Sequence, residues 1–100
     1  MKNVRFHDEA RLELVDQVSY YEEAQSGLGQ RFAAEIESAV SLAASRPSVG
    51  LKHKLGTHRV FPRRFPFSIV YTIQGSEIVI LAIAHFKRKP GYWRNRKNDG

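Results

Sequence analysis

The strongest pattern in the chain is a pair of apolar runs between residues 65 and 84, separated by a polar segment that contains Gly75. Two runs rich in β-branched residues on either side of a glycine-containing turn predict a β-hairpin. The second run, Ile78–Ala84, has no polar residue, which is typical of a central strand covered on both faces. Periodicity alone does not distinguish such a run from a buried helix, but its length and the preceding hairpin favour a strand. In the first run Phe67, Ile69, Tyr71 and Ile73 alternate with Ser68, Val70 and Thr72.

The apolar run stops at His85, and a segment of cations and aromatic residues continues as far as Trp93. A strand end holds such side chains rigidly at one edge of a sheet, where sites are commonly built. We expect an open surface site there, because a domain of this length has a small core.

Two segments show helical spacing of apolar residues. Asp8 stands in an N-cap position, and the first helix is predicted over Ala10–Gln25. The two glycines of Ser26–Gly29 let the chain reverse. A second helix is predicted over Gln30–Ser45 and ends before Pro47, since the residue preceding a proline disfavours the helical conformation. Each helix has one apolar stripe, so both can pack on the same face of a sheet.

Short strands are predicted at Asn3–Phe6 and His58–Phe61, and residues 48–57 are predicted to form a loop. The order β-α-α-β-β-β indicates an α+β fold, with a helical hairpin packed on one face of a mostly antiparallel four-stranded sheet. We expect a single domain over residues 1–93 and a polar tail, 94–100, that frays.

The composition narrows the class of protein. One hundred residues with 42% hydrophobic content fit one folded domain, and no run is long enough for a membrane span. The absence of cysteine excludes disulfides, thiol catalysis and thiolate metal sites. The N-terminus lacks the apolar region of a signal peptide, so we expect a cytoplasmic protein without a membrane partner.

Charge is divided unevenly along the chain. Residues 1–50 contain five basic and eight acidic residues, whereas residues 51–100 contain eleven basic and two acidic ones. This asymmetry suggests a polyanionic partner, either nucleic acid or an acidic protein segment. A solvated basic surface without a specific partner is the simpler explanation.

An ordered set of short motifs resembles the RelE/ParE superfamily, the toxins of bacterial type II toxin–antitoxin modules, also called plasmid stabilisation proteins. The resemblance covers nearly the whole chain, and its Phe-Pro-Phe and Pro-Gly-Tyr-Trp motifs look like the ParE-type branch. It implies a toxin held inactive by a cognate antitoxin in a hetero-oligomer, with operator DNA contacted only through the antitoxin. One branch poisons DNA gyrase, and the other cleaves messenger RNA on the ribosome. The motifs are His7–Ala10, Tyr20–Tyr21, Gly27–Phe32, Arg46–Pro47, Arg59–Phe61, Phe65–Tyr71, Ile83–His85 and Arg88–Trp93.

RNA cleavage by attack of a 2′-hydroxyl needs a base, an acid and cations that stabilise the developing charge. The basic half has only Glu77 and Asp99 as carboxylates, and neither is placed as a convincing base. If the chain is a ribonuclease, the candidate catalytic residues are Arg59, His85, Arg88 and Tyr92, with Lys52, Lys54 and His58 as further proton carriers. By resemblance, the second arginine of the ribonuclease branch falls at Phe86, so that constellation is incomplete.

The leading hypothesis is therefore a ParE-like toxin, a non-enzymatic inhibitor of a macromolecular target such as DNA gyrase, neutralised by an antitoxin. A metal-independent messenger-RNA endonuclease acting at the ribosome is the alternative, and an inactive member that only binds antitoxin is a third reading. No cofactor is expected, and no metal site, because the histidine spacing matches no metal-binding motif. The residues expected to bind target or antitoxin are Lys52, Lys54, Arg59, Arg63, Arg64, Lys87, Arg88, Tyr92 and Trp93.

Three of these candidate residues also have a structural explanation. Tyr92 and Trp93 can fold back onto the uncovered sheet face and protect its apolar residues, and for Trp93 this is the favoured interpretation. The apolar residues in question are Val70, Val79 and Leu81. His85, at the end of a strand, is equally well explained as a hydrogen-bonded structural histidine.

Overall fold

The computed structural model describes residues 1–99, which contain two α-helices and five strands. The helices are α1 (Asp8–Ala24) and α2 (Leu28–Ser45), and the strands are β1 (Asn3–Phe6), β2 (Leu51–His53), β3 (Thr57–Val60), β4 (Phe67–Gln74) and β5 (Glu77–His85). The sheet order is β1-β5-β4-β3-β2. Strand β1 runs parallel to β5, and the other neighbours are antiparallel. The α+β class and the helical hairpin on one face of the sheet are confirmed.

Strand β2 lies within the segment predicted as a loop, so the sheet has five strands rather than four. It pairs with β3 over only three residues, from Leu51 opposite Arg59 to His53 opposite Thr57. Leu51 and Lys52 are exposed, and three residues are too few to show an alternating pattern. Pairing with β3, rather than the local sequence, makes this segment a strand.

Strand β5 is the central element of the sheet, as predicted. It lies between β1 and β4, and every residue from Ile78 to Ala84 is buried. An irregularity in its pairing with β4, where Val70 faces Ala82 but Tyr71 faces Ile80, gives β5 an extra residue, Leu81. One face of β5 packs against the helices, and the other face contributes to a second apolar cluster on the opposite side of the sheet.

The helical hairpin is held by two side-chain caps. His7, not Asp8, caps α1, because its Nδ1 accepts a hydrogen bond of 3.1 Å from the backbone N–H of Glu9. At the far end of α1, the Glu22 carboxylate accepts from the backbone N–H groups of Gly27, at 2.8 Å, and Gly29, at 3.0 Å. Gly27 has a φ of +86°, and a Cβ at Gly29 would lie 2.5 Å from the Val18 carbonyl oxygen. The sharp reversal and close approach of the helices therefore require these glycines.

The end of the chain crosses the sheet face that the helices leave uncovered. We call residues 90–97 the C-terminal strap. Trp93 is only 2% exposed and packs with Val70, Val79 and Leu81, which confirms the structural interpretation of this residue. The structure places Arg94–Asp99 in a 3₁₀ helix, and fraying of the tail stays a prediction. The last predicted tail residue, Gly100, lies outside the described residues.

Within residues 1–99, no helix has both the length and the apolar character needed to cross a membrane.

Replacement of the Tyr71 hydroxyl tests how the chain between α2 and β2 is tied to the sheet. Tyr71 is fully buried, and its hydroxyl donates to the Pro47 carbonyl at 2.6 Å and accepts from the Gly50 N–H at 3.2 Å. Tyr71→Phe leaves both backbone groups without this partner, and we expect a loss of about 1–3 kcal/mol in the free energy of unfolding. Urea denaturation measures the change. Tyr20→Phe, at a side chain that is 64% exposed, is the matched control and should have little effect.

Candidate functional site

A shallow depression of about 120 Å³ lies on the sheet face that carries the strap. It brings together five residues that the sequence predicted as functional: Arg59, His85, Arg88, Tyr92 and Trp93. His53, Phe86 and Lys89 also line it, and among the described residues no carboxylate does. We call this depression and its surrounding cations the cationic face. A concave site lined by charges of one sign attracts anions.

Arg59 projects from β3 towards this face, beside Val70 of β4. Its Nε atom is buried and, within residues 1–99, makes no hydrogen bond. Its guanidinium lies 5.5 Å from the centre of the Phe61 ring, a cation–π distance. A buried N–H without a partner is unfavourable in the protein alone and can be satisfied by a ligand oxygen.

A buried carboxylate, Glu13 of α1, fixes the strap. Its Oε2 accepts from the Tyr92 hydroxyl at 2.8 Å and from Nη2 of Arg96 at 3.0 Å, while its Oε1 accepts from Arg96 Nη1 at 3.0 Å. The two charged side chains are only 17% and 14% exposed. A paired, hydrogen-bonded carboxylate of this kind is costly to lose, because its partners would remain buried without it.

The same two side chains bind the backbone of β5 beyond the end of β1. Strand β1 pairs with β5 only as far as Ile80. After that point the N–H of Ile83 donates to Glu13 at 3.0 Å, and Arg96 donates to the carbonyl of Leu81 at 3.0 Å. The Glu13–Arg96 pair therefore replaces a missing strand partner.

Tyr92 orients a cation on the cationic face. The Arg88 guanidinium lies 3.7 Å from the centre of the Tyr92 ring, and Arg96 lies 5.1 Å from it. Burial, the hydrogen bond to Glu13 and the charge of that carboxylate raise the pKa of the Tyr92 hydroxyl above its usual value. The hydroxyl is thus a protonated hydrogen-bond donor rather than a base.

His85 lies at the rim, where the structural explanation fits its contacts. Its Nδ1 accepts from the backbone N–H of Lys87 at 3.0 Å, and its ring packs edge-on against Phe67 at 5.0 Å. These contacts hold the turn that follows β5.

The other predicted residues are not gathered at the depression. Lys52 and His58 are paired across β2 and β3, at positions that alternate with Arg59 and so face the opposite side of the sheet. His58 stacks on Tyr71 with ring centres 5.5 Å apart. Arg63 lines a separate depression beside α2. Lys54, Arg64 and Lys87 are exposed in turns.

Glu13, Arg96 and His53 are the site residues that sequence reasoning missed. Glu13 follows the buried Ala10 by three residues and therefore lies on the buried stripe of α1, a signal that was available. Its partner Arg96 is 83 residues away, and no local pattern relates the two. His53 belongs to the unpredicted strand and packs against Trp93, with ring centres 5.7 Å apart.

Comparison with known families now adds to this geometry. The model of the family described as "ParE toxin of type II toxin-antitoxin system, parDE" matches residues 4–90. The chain belongs to the ParE toxin family.

Comparison with solved structures supports the same fold. A chain from the structure described as "Chromosomal ParDE TA system from P. aeruginosa" superposes with a TM-score of 0.62 and 20% sequence identity. The match covers 85% of this ParE-family chain and 96% of the other. No curated protein matches. The family match ends at Pro90, so Glu13 lies inside the matched range, whereas Tyr92, Trp93 and Arg96 of the strap lie beyond it.

The surroundings of His53, on the cationic face, predict that the stability of the fold depends on pH. Burial, with smaller contributions from Arg59 and Lys54, lowers the pKa of His53 below its usual value. In the unfolded chain a histidine titrates near pH ~6.5, so below that pH the unfolded state binds more protons and stability falls. When the pH is lowered from neutral to about one unit below the ordinary histidine pKa, we expect the free energy of unfolding to fall more in the wild-type chain than in His53→Gln. Urea titrations at both pH values measure this, and parallel losses in the two proteins would contradict it.

Proposed function

We propose that this chain is the toxin of a type II toxin–antitoxin module, that it inhibits DNA gyrase by binding, and that a cognate antitoxin neutralises it. The observation that carries the binding hypothesis over RNA cleavage is the Tyr92 hydroxyl, which is held 2.8 Å from the Glu13 carboxylate. It is one of the four candidate catalytic groups, and its geometry gives it a structural role.

The remaining candidates support binding better than proton transfer. His85 has its Nδ1 engaged by the Lys87 backbone, and Phe86 stands where the ribonuclease branch is expected to carry an arginine. Arg59 and Arg88 are suited to hold oxyanions, because a guanidinium donates its N–H groups in a planar fork that matches phosphate and carboxylate oxygens. His53 also lines the depression, and its ring packs against Trp93 with ring centres 5.7 Å apart. These contacts support recognition by the cationic face better than proton transfer.

An apolar groove beside α2 provides a second surface, suited to the antitoxin. Exposed apolar side chains line it at the end of β3, and its volume is about 210 Å³. They are Leu42, Val49, Leu51 and Phe61, which are 47%, 44%, 59% and 41% exposed. Exposed apolar side chains that cluster in a groove mark an interaction site more often than isolated ones do.

The charges around this groove favour an acidic, amphipathic segment as its occupant. Arg59 lines the groove as well as the cationic depression, and Arg63 lines the adjoining part beside Phe61. A segment with apolar residues along one side and carboxylates along the other would fill the groove and pair with both guanidinium groups. The antitoxin would then partly cover the cationic face through Arg59.

Gyrase inhibition is the direct test of the proposed target. We expect the purified chain to inhibit DNA supercoiling by gyrase, to leave added messenger RNA intact in the presence of ribosomes, and to lose inhibition when the antitoxin is added. Arg88→Gln should weaken inhibition, and Arg31→Gln, an exposed cation on α2, is the control. RNA cleavage with unaffected supercoiling would favour the endonuclease instead, and no growth arrest on expression would disfavour both toxin activities.

Charge introduced into the groove should separate antitoxin binding from folding. Leu42→Glu places a carboxylate among apolar side chains, and we expect the affinity for the antitoxin to fall about tenfold or more. Calorimetric titration with the purified antitoxin measures the change. Leu12→Glu is the matched control, because Leu12 is 56% exposed on α1 and does not line the groove. Equal losses in both variants would place the antitoxin elsewhere.

A further inference from the structure

The cationic face is assembled from two parts that are distant in sequence. Arg59 comes from β3, whereas Arg88 and Lys89 come from the turn that leads into the strap. Arg88 is exposed, and its guanidinium lies 3.7 Å from the centre of the Tyr92 ring. The position of that ring is in turn fixed by its hydroxyl on Glu13. Arg59 and Arg88 line the same depression, and the position of Arg88 in it thus depends on a carboxylate that does not line the depression.

The groups around the depression indicate an oxyanion on a repeating, charged polymer. Arg59 offers a buried N–H without a partner among the described residues. Exposed cations continue from the depression along the turn and the strap at Lys87, Lys89 and Arg94. Phe86, which is 60% exposed, stands at the rim and packs edge-on against Phe61 at 6.1 Å. Cations interleaved with an exposed aromatic ring suit the phosphates and bases of a single strand of nucleic acid.

We propose that Glu13 is a positioning residue that assembles, from the strap and β3, a phosphate-binding site for a nucleic-acid strand between Arg59 and Arg88. The site binds the strand without cleaving it. This inference deepens the proposed function, since a toxin that acts on gyrase meets its target together with DNA, and it rests on the cationic face being the target-binding surface.

The positioning role and the long-range electrostatic field predict opposite effects of removing the Glu13 charge on the affinity for a polyanion. Glu13→Gln raises the formal charge of +6 by one, so the long-range field alone would strengthen the binding of a polyanion. Loss of the charge-assisted bonds to Tyr92 and Arg96 instead releases the strap and misplaces Arg88, which weakens binding. Asp16→Asn makes the same charge change on the same helix. Asp16 is exposed and lines a neighbouring groove next to Arg88, but within residues 1–99 it forms no hydrogen bond or ion pair with the strap.

The test compares these variants in one binding assay with short fluorescent oligothymidylate and, in parallel, a poly-glutamate peptide. We expect Glu13→Gln to weaken oligothymidylate binding about fivefold or more, and Asp16→Asn to leave it unchanged or to tighten it. Arg59→Gln should also weaken it, without loss of fold. Trp93 is the single tryptophan of the chain and is buried, so its fluorescence emission reports whether the strap is docked. Of the two variants that remove a carboxylate, only Glu13→Gln should shift this emission to longer wavelength.

If Glu13→Gln fails to fold, as judged by circular dichroism, Tyr92→Phe takes its place. It keeps the ring beneath Arg88 and removes only the hydroxyl bond, and we expect weaker binding in the same direction. Binding that is equal or tighter in Glu13→Gln, or in Tyr92→Phe where it replaces that variant, as expected for Asp16→Asn, would overturn the positioning role. If the wild-type chain binds poly-glutamate but not oligothymidylate, the phosphate-binding site is overturned. Gyrase inhibition is tested separately, by the supercoiling assay, so the two proposals can fail independently. Duplex DNA and RNA of matched length identify which nucleic acid the face prefers.

Discussion

The fold depends on covering both faces of β5. The strand is apolar from Ile78 to Ala84, and within residues 1–99 both α-helices lie on the same side of the sheet. A short C-terminal segment must therefore exclude water from the other side, and a single tryptophan supplies most of the cover. Burying one large aromatic side chain removes 150–250 Å² from solvent, roughly the area that a few aliphatic residues would contribute.

That cover is fastened electrostatically rather than by apolar packing alone. Glu13 and Arg96 meet where β1 ends, and between them they satisfy backbone groups of β5 that would otherwise lack partners. The pair therefore serves the sheet, the strap and the cationic face together. It also explains why a protein of net positive charge keeps an acidic residue against its basic half: the carboxylate organises the cations that surround it.

Most of the architecture follows from local sequence, and the exceptions have a common physical cause. The uninterrupted run Ile78–Ala84, together with its length and the preceding hairpin, predicted the central strand, and its second apolar face implied that Trp93 would fold back. Strand β2 was missed because three residues have no detectable period, and its pairing with β3 is a tertiary property. The Glu13–Arg96 pair was missed because its members are 83 residues apart, and an acidic residue on a helix is ordinarily solvated. The ribonuclease set was recognised by residue type, but residue type does not reveal that the hydroxyl of Tyr92 is occupied.

The double duty of the strap limits how this part of the molecule can evolve. Its buried Trp93 covers the sheet and its exposed Arg94 adds surface charge, so selection for stability and selection for a different partner act on the same short segment. The apolar groove beside α2 is less constrained, because its side chains are half exposed and contribute little to the core. Substitutions in the groove therefore change that surface with less effect on the cover of the sheet than substitutions in the strap have.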